Sequence, residues 1–155
     1  VKLSLNLCDA ADPPWLDEAL VESIRQASKV IGPSRAAVNI VVADDPYIRE
    51  LNRKYRKIDE PTDVISFSYL DGESPALEGE EELAGEVYIS HQMVEKEAKE
   101  YGVETATMFM RIGVHGLLHI VGYDHVVDED AERMEREEKS ILSGYIDSAE
   151  LNALF

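Results

Sequence analysis

Thr105 to Val121 is apolar nearly all the way round when wound as a helix. Met108, Ile112, His115 and His119 fall on one stripe, and Met110, Val114, Leu117, Leu118 and Val121 cover the neighbouring faces. A helix of this kind has no polar face to give to water, so the rest of the chain has to close around it. The spacing therefore predicts a buried central helix, and it places two histidines on that helix.

Those two histidines set the chemistry. His115 and His119 are four residues apart, so both imidazoles leave the same face one turn apart. Gly122 can take a positive φ and end the helix, which lets His125 return towards the first two rings. A lone histidine on an apolar helix is usually a satisfied core residue. Several imidazoles buried without a common partner would each cost roughly 1–3 kcal/mol in unpaired polar groups. A shared metal removes that cost and adds on the order of 10 kcal/mol of binding where ligands are structural. Three neutral nitrogen donors without a fourth protein ligand describe a catalytic zinc site with an open position. Nickel, copper and iron also accept imidazole.

The same spacing fits H-x-x-x-H-x-x-G-x-x-H, the ligand frame of the metzincin proteases. Those enzymes carry a Glu directly after the first His as general base on the metal-bound water, and this chain has Gly116 there. The ligands of a peptidase are present without its base, which counts against proteolysis. Asp124 is the nearby carboxylate, able either to orient a ligand ring or to take a proton.

Around the central helix the chain reads as short alternating elements. Lys2 to Leu7 alternates as a half-buried strand, and Asp12-Pro13 opens a helix that Gly32-Pro33 closes. Ala36 to Ala43 is a strand apolar on both faces, and Asp44-Asp45-Pro46 starts a helix through Ile48, Leu51 and Tyr55. Thr62 to Tyr69 and Glu86 to Ser90 are two further strands, and Asp71 to Glu82 between them is expected to be a mobile acidic surface loop. Ser90 caps a helix over about His91 to Tyr101, and a last helix runs from Asp128 to Gly144. On that last helix Ala131, Met134, Ile141 and Leu142 form the packing face, while Glu132, Glu135, Glu137 and Glu138 read as solvated. The pattern predicts one α+β domain over residues 1–155. Its core is a small mixed four-stranded sheet with flanking helices and the buried central helix carrying two metal-ligand histidines.

A net charge of −17 argues against a polyanionic partner, which normally meets a basic face. The charge is uneven, however: Arg49, Arg53, Lys54, Arg56 and Lys57 lie close together and leave room for such a partner. No stretch reads as a signal peptide or a membrane span, and the single Cys8 reads as a buried thiol in a reducing compartment, so the cytoplasm is expected. Ser66 lacks an accompanying base motif, His91 lies outside the histidine cluster, and Thr62 and Asp63 read as residues of a turn rather than of the chemistry.

With those residues in view, the chain resembles the YbeY family of rRNA maturation factors, metal-dependent bacterial endoribonucleases. The resemblance rests on His115-Gly116-Leu117-Leu118-His119 with Gly122-Tyr123-Asp124-His125. It rests also on Leu51-Asn52 with Tyr55-Arg56, on Pro61 to Phe67, and on Gly85-Glu86-Val87 leading into Ile89. It implies an α+β fold, zinc on His115, His119 and His125, and Arg56 as the basic active-site residue. It further implies cleavage of single-stranded RNA during maturation of small-subunit ribosomal RNA, and a role in ribosome quality control. The expected chemistry is hydrolysis by a metal-activated water, with Arg56 countering charge on the phosphoryl oxygens. Attack by the RNA 2′-hydroxyl is the alternative within that class. Outside it stand a zinc amidase or peptidase with another base, and a metal-stabilised ribosome-assembly factor without catalysis.

Overall fold

The computed structural model describes residues 1–8, 11–69 and 82–155. In chain order the elements are β1 (Lys2–Leu7), α1 (Glu18–Ser28), β2 (Ala36–Ala43), α2 (Asp45–Arg56), β3 (Val64–Ser68) and β4 (Glu82–Ser90). There follow α3 (His91–Tyr101), α4 (Thr105–Ile120), α5 (Asp128–Leu142) and α6 (Ser148–Leu154). The strands form one four-stranded sheet in the order β1-β2-β4-β3. β1, β2 and β4 run parallel, and β3 pairs antiparallel with β4 at the edge. The expected α+β architecture with a small mixed sheet is the one observed.

Capping residues set most helix starts. Asp17 accepts from the Leu20 N–H at 2.8 Å, Asp44 from the Tyr47 N–H at 3.0 Å, and Ser90 Oγ from the Met93 N–H at 3.2 Å. The first helix therefore starts later than the Asp12-Pro13 signal suggested. Pro14 disfavours helical backbone at Pro13, and Asp17 offers the cap once the proline pair has been passed. β4 starts four residues earlier than expected, at Glu82 rather than Glu86. The rest of the stretch read as a mobile acidic loop lies outside the described residues. α6 was not anticipated, although Asp147 accepts from the Glu150 N–H at 2.8 Å and Leu151 and Leu154 share one face.

The central helix is buried as its composition requires: Met108, Phe109, Val114, Leu117, Leu118 and Ile120 are each at most 1 % exposed. α4 packs on β3 and β4 and is flanked by α1, α3 and α5. β2, paired on both edges, sends Val38, Ile40 and Val42 into this main core. Ala43 joins Ile48 of α2 and Ile65 of β3 in a smaller cluster. α4 approaches the sheet closely at Gly116. A Cβ placed there would lie 2.6 Å from Val87 Cγ1 and 3.2 Å from Ser66 Oγ. Val87 is fully buried and β-branched, so it has little freedom to give way. Gly116→Ala is expected to lower stability by about 1–3 kcal/mol, read by urea denaturation, despite the better helix propensity of Ala. Unchanged or raised stability would show that the contact yields.

Candidate metal centre and catalytic cleft

The two helical histidines need only the local geometry of α4 to meet. His115 Nε2 and His119 Nε2 lie 3.1 Å apart. After Ile120 the chain turns at Gly122, which has φ of +104°. The Asp124 carboxylate accepts from the His125 N–H at 2.7 Å and so orders the returning loop. The His125 ring reaches within 5.6 Å of the His115 ring and 4.9 Å of the His119 ring, centroid to centroid. One ligand nitrogen from each of the three histidines falls within a 4.8 Å span, so the three could hold a metal ion.

The hydrogen bonds behind the rings say more. His119 Nδ1 lies 3.0 Å from the Tyr123 carbonyl oxygen, which can only accept. The hydrogen of that imidazole is therefore on Nδ1, and its Nε2 carries a lone pair. His115 Nδ1 lies 2.5 Å from the carboxylate of Glu138, a residue only 4 % exposed. The same logic places the hydrogen on His115 Nδ1. With both imidazoles neutral, as metal ligands must be, two nitrogen lone pairs face one another at 3.1 Å and call for a cation between them. Burial and the neighbouring His115 and His125 push His119 below its ordinary pKa, which favours the neutral, ligating form. The donor set fits a metal of the zinc type.

Glu138 is the residue that reading the sequence missed. It sits in α5 with Met134, Ile141 and Leu142, all buried, rather than on the solvated acidic face. The signal was available: positions 134, 138, 141 and 142 follow helical spacing, so the carboxylate lies on the packing stripe. A carboxylate behind a ligand imidazole fixes its tautomer and raises its basicity. Glu138→Gln is expected to lower metal affinity about 10–100-fold, measured by competition with a chelator. Unchanged affinity would reduce Glu138 to a packing role.

The histidines open onto a cleft of about 550 Å³. Val64, Ser66 and Ser68 of edge strand β3 form one wall, preceded by Thr62 and Asp63, and Arg56 lines it from the end of α2. Ser66 Oγ donates to the Gly116 carbonyl at 3.3 Å and Ser68 Oγ to the Ile120 carbonyl at 2.9 Å, tying the wall to α4. Much of the basic cluster turns out to be engaged elsewhere. Arg49 pairs with Asp59 at 2.8 Å, Arg53 pairs with Glu50, and Lys57 Nζ donates to the Lys54 carbonyl at 3.3 Å. Arg56 is the member of the cluster that lines the cleft. His91 stays outside, 3.9 Å from Glu95, and Met134 belongs to the main core. Gly116 gains a second meaning here, since the helix–sheet contact leaves no room for the glutamate that a metzincin carries at that position.

Comparison with known proteins agrees with this geometry. The profile of the family described as endoribonuclease YbeY matches residues 14–146. The endoribonuclease YbeY of Pelotomaculum thermopropionicum is 42 % identical over 133 residues, covering 82 % of this chain and 87 % of that protein. The endoribonuclease YbeY of Paramagnetospirillum magneticum is 41 % identical over 145 residues, covering 87 % and 88 %. The solution structure of TM1509 from Thermotoga maritima superposes with a TM-score of 0.56 at 27 % identity, covering 92 % of this chain and 91 % of that one. Family profile, full-length relatives and fold agree: this chain belongs to the endoribonuclease YbeY family of hydrolases.

Proposed function

We propose that this chain is a zinc-dependent endoribonuclease that cuts single-stranded RNA during maturation of small-subunit ribosomal RNA, acting in the cytoplasm and in ribosome quality control. His115, His119 and His125 are its metal ligands, and Arg56 meets the scissile phosphate. The observation that carries the reading is the convergence of three imidazoles, two of their Nε2 atoms 3.1 Å apart, in the cleft that Arg56 lines.

A bound zinc ion supplies Lewis acidity and activates water at neutral pH. The protein supplies the remainder. Glu138 and the Tyr123 carbonyl hold two ligand rings in a single tautomer, so no reorientation is needed when the site is used. Asp124 keeps the third histidine in place by accepting the backbone N–H of that residue. Arg56, exposed at the end of α2, can turn its planar fork of donors towards phosphoryl oxygens as their charge grows. RNA binding at a net charge of −17 then depends on local cations at the cleft rather than on the whole field of the protein. Among the described residues no helix is long and apolar enough to cross a membrane.

The lack of space at Gly116 weighs against a metzincin-type peptidase, because the glutamate of that chemistry has no place at that position of α4. The assembly-factor reading leaves a cationic residue facing an open metal-type cleft without a use. The deciding experiment combines metal analysis with cleavage of a ribosomal RNA precursor fragment by wild type, His119→Ala and Arg56→Ala. A protein that held no metal and cut RNA equally well after chelation would sink the proposal. A 2′,3′-cyclic phosphate on the product would assign the attack to the RNA 2′-hydroxyl instead of water.

A further inference from the structure

Two carboxyl groups meet beside the cleft and have no part in holding the histidines. Asp63, just ahead of β3, and Glu97, two turns into α3, line one cavity, with their side chains placed to share a hydrogen bond. Their meeting is built into the fold. The Asp63 carbonyl accepts from the Ser90 N–H at 2.9 Å, which pins the start of β3 beside the start of α3. Thr62 Oγ1 then lies 3.4 Å from Asp63 Oδ1. Two ionised carboxylates repel and neither has a hydrogen to donate, so a carboxyl–carboxyl hydrogen bond requires one proton between them.

Asp63 also occupies a shared boundary. A second cavity of about 250 Å³, lined by Glu97, Glu100, Tyr101 and Arg111, meets the histidine cleft at Asp63, Val64 and His115. One end of the carboxyl pair therefore opens on the cleft, and the other is held half-buried in the neighbouring cavity.

We propose that Asp63 and Glu97 are the proton relay for RNA cleavage: Asp63 touches the reacting groups, and Glu97 is a positioning residue that acts through it. The proposal rests on reading the cleft as the RNA-cleaving site. Once the shared proton has left to solvent, the attacking hydroxyl gives its proton to the ionised pair as the new O–P bond forms. The pair returns that proton to the departing oxygen as the old P–O bond breaks, so proton and charge balance over one turnover. The sequence pattern had assigned Asp63 to a turn; its contact with Glu97 adds the chemical role.

The electrostatics suit this role. Burial first, then the charge and hydrogen bond of Asp63, then the charge of Glu100 push Glu97 up to about 7, against the pull of Arg111 on α4. A base with its pKa close to the working pH is the one that proton transfer favours. Tyr101 and His115 line the same cavity.

Glu97→Gln keeps a hydrogen-bond donor for Asp63 and removes the shared proton. The ascending limb of the pH–rate profile is expected to move to lower pH, with activity at neutral pH down at least about tenfold and metal content unchanged. A merely structural role would lower activity without moving that limb. Two readings on the metal-free protein need no activity at all. By ¹³C NMR the Glu97 carboxyl should titrate near 7, far above its ordinary 4.5. Between those values the folded wild type holds a proton that the unfolded chain has lost. Wild-type stability should therefore fall with rising pH across that window relative to Glu97→Gln. Titration of Glu97 in the ordinary carboxylate range, or an unmoved limb in Glu97→Gln, overturns the proposal while leaving the nuclease reading intact. Absence of RNA cleavage by the metal-loaded wild type would overturn both.

Discussion

His119→Ala is expected to abolish RNA cleavage and to leave the purified protein with little bound metal. The ring contributes one of the two nitrogens that face each other at 3.1 Å, so its loss leaves His115 and His125 as the remaining imidazole donors. Lewis-acid activation is worth several kcal/mol of transition-state stabilisation. About 4 kcal/mol corresponds to roughly a thousandfold in rate, so cleavage should fall at least that far. The fold should survive. The His119 ring is only partly buried, and the surrounding core of Met108, Phe109, Leu117 and Leu118 does not depend on it. Circular dichroism with a cooperative thermal transition checks this point alongside metal content. Metal retained at one ion per chain, or cleavage retained without metal, would contradict the assignment of the three ligands.

Arg56→Ala is the second large effect, and it separates binding of metal from chemistry. Arg56 lies at the exposed end of α2, and Lys57 follows in left-handed conformation with φ of 62°. Nothing in the packing of the core depends on its side chain, so stability and metal content should stay within error of wild type. Removing one charge-stabilising donor at a developing oxyanion costs about 10²–10³ in kcat, and the same range is expected here. Arg56→Lys should recover only part of the loss, because an ammonium keeps the charge but lacks the planar fork that meets two phosphoryl oxygens. Raised KM with unchanged kcat would make Arg56 a residue of substrate docking instead. Full activity in Arg56→Ala would remove it from the site.

Reading the sequence reached far into this site because the essential geometry is local. His115 and His119 are fixed relative to one another by helical spacing, and Gly122 and His125 follow within the same turn. The burial of α4 was equally legible, since a helix without a polar face has only one stable place. Element boundaries were less so. The tandem prolines shifted the start of α1 to a cap at Asp17, and α6 went unseen because its short Asp147 to Leu154 pattern is weak on its own.

The amino-acid sequence by itself determined the central helix, the histidine triad, the absence of a metzincin base and the class of fold. The first three follow from spacing within one segment, and the class of fold from the order of strand and helix patterns along the chain. Only the tertiary structure decided which acids do more than solvate the surface. Glu138 reaches His115 from α5, and Glu97 of α3 lines one cavity with Asp63. It also showed that Arg49 and Arg53 are paired with acids while Arg56 lines the cleft, and that Gly116 is the point where α4 meets Val87. The physical reason is common to all four. Periodicity tells which face of an element is buried, but the partner across the gap is set by how separate elements pack.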